Sequence, residues 1–167
     1  TVDANGDLSL TADDTSKIYS IGGAIVATIS TGGTTGNAAA GVGATVATNK
    51  ISNTIRSYIS NSQVNTDDTK TTSGNVTLTT TSNSDILAIG IAASASITSS
   101  TGNSFSLGLN GAVSSNTIKN SVGAFVTNDS EVNVKANPVA TETSSLTISA
   151  TDTSRIQAFS GGIGFSL

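Results

Sequence analysis

These 167 residues predict an all-β protein, wound as a repetitive β-solenoid (a parallel β-helix) with units of about 68 residues. Three observations carry that reading: an internal repeat, a hydrophobic period of two, and asparagines that recur at equivalent positions. The repeat is plainest where GVGATVATNKISNTIRSYISN (41–61) meets GLNGAVSSNTIKNSVGAFVTN (108–128). At a constant shift of 67, without a gap, Gly41 falls on Gly108, Val46 on Val113, Asn49 on Asn116 and Asn53 on Asn120. Ile51 falls on Ile118, Ile55 on Val122, Tyr58 on Phe125, Ile59 on Val126 and Asn61 on Asn128. A second register mark ends at Ile18, Ile86 and Ile156, in DLSLTADDTSKI, NVTLTTTSNSDI and SLTISATDTSRI. The chain reads as one repetitive domain, 1–167, with units at about 7–74, 75–144 and a partial 145–167. Such an array is expected to continue beyond these residues.

The elements follow in order. Leu8 and Leu10 alternate with Ser9 and Thr11, which predicts a short strand with one wet face. The same alternation returns at Val76 and Leu78, at Val132 and Val134, and at Leu146 and Ile148. Leu78 is expected to point inward between Thr77 and Thr79. The strands at 18–29 and 86–97 lack a wet face. One side is bulky (Tyr19, Ile21, Ile25, Ile29; Leu87, Ile89, Ile91, Ile97) and the other small (Ser20, Gly22, Ala24; Ala88, Gly90, Ala92). A strand apolar on both faces is expected to be buried on both. The small side is expected to be covered by the chain's own strands at 41–47 and 108–113, or by a neighbouring molecule. STGGTTGN (30–37) and SSTGN (99–103) are turns rich in Gly and Asn, which tolerate positive φ. Polar loops are expected at 65–75 and at 135–145, with Pro138 in the second. The antiparallel alternative, in which the TGN turns close hairpins of a β-sandwich, fits the same alternation. The asparagines favour the solenoid, because Asn accepts left-handed corners and stacks into amide ladders. Two further expectations follow from the register. Ile18, Ile86 and Ile156 should be equivalent inward sites, as should Ile55 and Val122. Residues 159–167 should pair with the strand at 86–97 or with a neighbouring molecule.

The composition excludes several functions. There is no Cys, His, Met or Trp, and charged residues make up only 11% of the chain. Without His or Cys the usual nucleophilic triads cannot be built. A net charge of −4 offers no basic stripe for nucleic acid. No apolar run reaches the roughly 20 residues of a membrane helix, so membrane insertion is not expected. The lack of cysteine fits an exported protein, and any targeting segment is expected to lie outside these residues.

The pattern GxxAxxxxNxIxNxIxxYIxNSxV, from Gly41 to Val64, resembles repeats of very large bacterial surface and secreted proteins. These are the filamentous-haemagglutinin-like and leukotoxin-like filamentous adhesins. DTSKIYSIGGAIV (14–26) and DTSRIQAFSGGIG (152–164) carry the same resemblance. It implies a long rod, export to the cell surface or medium, and a structural or adhesive role without catalytic residues. The implied partners are adjacent repeats of one parent chain, lateral copies of the rod, or a host or matrix glycan. A glycan- or ice-binding surface of stacked Thr and Asn is the alternative function.

No catalytic, cofactor-binding or metal site is expected. The carboxylates fall mostly in turns and at strand starts. Asp14, Ser82 and Asp152 occupy equivalent positions yet differ in type, unlike a unique active site. Asp3-Ala4-Asn5-Gly6-Asp7 has the alternate oxygens that open a calcium loop, but no distal Glu follows. A polar Asn-Gly β-turn at Asp3, Asn5 and Asp7 is the favoured reading. Asp67 and Asp68 read as a solvated loop pair.

Overall fold

The computed structural model describes residues 1–3, 6–34, 36–66, 74–134 and 143–167. Asn5, Asp67, Asp68, Pro138 and Glu142 lie outside them, and with them the expected loop structure there. The described residues form strands and no helix, as β-branched Thr, Val and Ile favour. In order the strands are β1 (Leu8–Asp14), β2 (Lys17–Thr31), β3 (Asn37–Ile51), β4 (Thr54–Ser60), β5 (Gln63–Val64) and β6 (Val76–Ser82). They continue as β7 (Asp85–Ser99), β8 (Ser104–Ile118), β9 (Ser121–Thr127), β10 (Glu131–Val132), β11 (Leu146–Asp152) and β12 (Arg155–Ser166).

Each strand hydrogen-bonds to its own equivalent in the next repeat. The sheets run β1-β6-β11, β12-β7-β2, β3-β8, β4-β9 and β10-β5. The pairings β1-β6, β6-β11, β2-β7, β7-β12, β4-β9 and β5-β10 are parallel. β3 and β8 run the same way. The Asn37 N–H donates to the Asn103 carbonyl at one end, and the Asn49 amide donates to Asn116 Oδ1 at the other. The antiparallel alternative therefore fails: the TGN turns join strands of different sheets and close no hydrogen-bonded hairpin. Gly32, Gly33 and Gly36 in that turn have φ near +100°, a region that L side chains rarely enter.

The strands divide between two compact units. The first holds residues 1–16, 51–84 and 119–154, with β1, β4, β5, β6, β9, β10 and β11. Its core is an aliphatic cluster of Ile59, Val64, Val76 and Leu78, with Leu8, Leu10, Val126 and Val132 packed against it. Leu78 is fully buried and stands between Leu10 and Ile148 in register, as its alternation predicts. Thr80 ties the sheets of this unit together. Its hydroxyl donates to the Gly123 carbonyl (3.0 Å) and accepts from the Ser57 N–H (3.0 Å) and the Ser57 hydroxyl (2.7 Å). Asn61 and Asn128 turn corners in the left-handed region, with φ of 48° and 53°. Tyr58 and Phe125 stack in register at 5.5 Å between ring centroids.

The second unit holds residues 17–50, 85–118 and 155–167, with β2, β3, β7, β8 and β12. Here two sheets face each other through their smallest residues. A side-chain carbon at Gly22 would lie 2.9 Å from Thr45 Cγ2, and one at Gly108 would lie 3.2 Å from the Phe165 carbonyl. The Thr45 hydroxyl donates across the layers to the Ile91 carbonyl (3.3 Å) and the Thr28 hydroxyl to that of Ala40 (3.2 Å). The strands around 41–47 and 108–113 thus cover the small side of β2 and β7, as expected. Residues 159–167 pair with β7: Phe159 lies beside Ile89, and the Leu167 N–H donates to the Ser96 carbonyl. Ile18, Ile86 and Ile156 share one rung. Ile86 in the middle strand is 1% exposed, whereas Ile156 in the outer strand is 44% exposed.

One expectation is overturned. β2 and β7 are not buried on both faces. Ile21 is 82% exposed and Ile25 88%. Small side chains let two backbones approach closely, so the small face takes the interior and the bulky face is left outside.

Candidate functional site

Two features stand apart from ordinary packing: a buried polar corner in the first unit and a bare apolar face on the second. The corner grows from the repeated motif that follows β1, β6 and β11. Asp14-Thr15-Ser16, Ser82-Asn83-Ser84 and Asp152-Thr153-Ser154 turn the chain at equivalent points. Opposite them stand Asn53 and Asn120, each just before its next strand.

Asp14 is the hub. Its carboxylate accepts from Ser16 Oγ (2.6 Å), Ser84 Oγ (2.7 Å) and Asn53 Nδ2 (3.1 Å). One repeat on, the Asn120 amide lies 2.9 Å from both Ser82 Oγ and Ser84 Oγ and 3.2 Å from Ser154 Oγ. The Asn120 side-chain oxygen accepts from the Asn53 N–H (3.2 Å). Ser82 and Ser84 are buried. The Ser16 hydroxyl holds the Asp14 carboxyl below the ordinary carboxylate value; burial opposes it, and Ser84 and Asn53 add to the lowering. The Asp14, Ser16, Ser82, Ser84, Asn53, Asn120 and Ser154 side chains of this corner all bond one another. A carboxylate stabilised as the anion is also a weaker base. The chemistry that the corner supports is cohesion between successive rungs.

Among the described residues, which do not include Asn5 of the Asp3 to Asp7 turn, no three His, Cys, Asp or Glu side chains converge. The Asp7 carboxylate caps the neighbouring rung by accepting from the Asn75 N–H (2.7 Å). Asp14 and Asp152, equivalent in register, bond the Ser two residues on in the same way.

The second feature is the outer surface of β2, β7 and β12. Tyr19, Ile21, Ile25 and Ile29 of β2 are exposed, as are Ile91 and Ile97 of β7 and Phe159, Ile163 and Phe165 of β12. The sequence carries a signal for this face. Between Lys17 and Lys50 there is no Asp, Glu, Lys or Arg, none between Asp85 and Lys119, and none after Arg155. All four charges of the second unit stand at strand termini, where Arg155 Nε contacts Asp85 Oδ1 at 3.2 Å. The first unit is the reverse. Its outward rungs are Ser9, Thr77 and Thr147, then Thr11, Thr79 and Ser149.

Comparison with known proteins found no matching family model, no matching curated protein and no matching solved structure. Among the described residues no helix is long and apolar enough to cross a membrane.

Proposed function

We propose that this chain is a stretch of β-solenoid that serves as a rigid, non-enzymatic spacer in a long exported surface adhesin or matrix fibre of bacterial type. One observation carries the reading: equivalent residues of successive repeats stand side by side in parallel register. Hydrogen-bonded partners lie 67 positions apart at Asn49 and Asn116, 68 at Ser62 and Ser130, and 70 at Ser84 and Ser154. Stacking of this kind buries a core shared between neighbouring repeats, so each added repeat extends the same ladder. The resemblance to filamentous adhesins and the absence of cysteine support placement at the cell surface or in the medium. The outward Thr rows do not favour an ice- or glycan-binding face, because Asp13 interrupts them and bonds Thr81.

The test is to insert ten further copies of residues 75–144 and measure the maximum dimension by small-angle X-ray scattering. A solenoid gains about 4.8 Å per copy, the spacing of adjacent strands. Independent domains of this length would each add roughly 28 Å, twice their outer radius at that size. Growth near the second figure would sink the proposal.

A further inference from the structure

We propose that the second unit docks face to face on a second copy of itself, through the outer surface of β2, β7 and β12. The inference does not depend on the spacer reading.

The surface is large and apolar, and its charges, Lys17, Asp85 and Arg155, lie together on one rung at the start of the three strands. The apolar band runs from Tyr19 to Ile29 on β2 and from Leu87 to Ile97 on β7. At about 3.3 Å per residue and 4.8 Å per strand, the band covers roughly 36 by 14 Å, or about 500 Å² in projection. Two copies together then bury about 1,000 Å², the floor for a biological interface. No buried charge would have to be desolvated.

The pattern of large and small residues selects a copy of the same face. Ala24, Ala92 and Gly162 form one rung of the sheet. A two-fold axis laid along that rung reverses the strands of the partner and exchanges positions on either side of it. Gly23 then meets Ile25, and Ala27 meets Ile21. On β7, Ala93 meets Ile91 and Ala95 meets Ile89. On β12, Gly161 meets Ile163. Each of these five small outward residues near the axis faces a large one, and each pairing occurs twice, as an isologous interface requires; farther out Tyr19 meets Ile29, Leu87 meets Ile97 and Phe159 meets Phe165, large on large.

The test uses a symmetric swap at the axis, read by sedimentation equilibrium on the whole chain with thermal melts as the folding control. Ile25→Gly removes a knob and places two hollows together. Gly23→Ile places two knobs together; its added side chain fits the monomer, since the nearest atom to a carbon there is the Ile91 carbonyl at 3.7 Å. Each single change should weaken dimerisation at least tenfold, and Gly23→Ile with Ile25→Gly should recover most of it. A folded chain that stays monomeric at about 100 μM, well above the dissociation constants of specific interfaces, would overturn the proposal. So would association that ignores all three variants, or flotation with phosphatidylcholine vesicles in place of a dimer.

Discussion

Leu78→Ala should be among the most damaging truncations in the first unit. The side chain is fully buried in the Ile59, Val64 and Val76 cluster. Removing three carbons forfeits about 2.4 kcal/mol of transfer free energy at ~0.8 kcal/mol each. A cavity term adds to this, because Leu10 and Ile148 flank the site in register and their backbones are fixed by the ladder. A total loss of about 3–4 kcal/mol is expected, within the range of buried Leu→Ala changes. The outer rungs supply the comparison. Leu10 is half-buried and Ile148 is 45% exposed. Their truncation should cost about 2 and 1 kcal/mol, in proportion to the burial each gives up. Urea midpoints at constant slope would measure all three. If Ile148→Ala cost as much as Leu78→Ala, or if Leu78→Ala cost under about 1 kcal/mol, the stacked core would not be the source of stability.

Thr80→Val should cost about 1–3 kcal/mol despite its matching shape, because the buried Ser57 loses the acceptor for its hydroxyl and N–H; urea titration shows whether it does. Ile86→Asp should abolish cooperative unfolding by circular dichroism, since an unpaired carboxylate would enter a site that is 1% exposed. Asp14 has a folded pKa below its ordinary value of 3.8, so its stabilisation is complete above that value and is lost as pH falls through the folded one. Between pH 6 and about pH 2.5 the wild type should therefore lose more stability than Asp14→Ser, which borrows the residue of the equivalent Ser82. Addition of EDTA should leave the melting temperature unchanged; a fall would show that structural calcium binds at the Asp3 to Asp7 turn or at a loop carboxylate pair.

Much of the fold was legible because strand periodicity and repeat shift both constrain register. The shift aligned Ile18 with Ile86 and Ile156, and alternation placed Leu78 inward; both are as the ladders have them. The small faces of β2 and β7 pointed to the Gly- and Ala-rich strands that cover them. The exposure of the bulky faces was harder to read. Alternation says which residues share a face, but not which face gains a neighbour, and in the second unit closeness of approach outweighed side-chain size. The charge-free stretches after Lys17, Asp85 and Arg155 were the available signal. The polar corner was hidden for another reason. Asp14 meets Asn53 from 39 positions away and Ser84 from 70, on strands whose side-by-side placement only the fold supplies.

The corners also differ from the ladders in how they keep count. The turn before β8 has one residue fewer than the turn before β3, and the turn before β10 has one more than the turn before β5. Asp129, with φ of 52°, takes up that additional residue. Strands of 7, 15, 15, 7 and 2 residues are nevertheless reproduced in order in the next repeat. Insertions and deletions are thus absorbed locally, without shifting the frame of anything downstream. Loops of foreign sequence grafted after Asn61 or Asn128 would inherit that tolerance, which makes the corners natural sites for displaying epitopes at regular intervals.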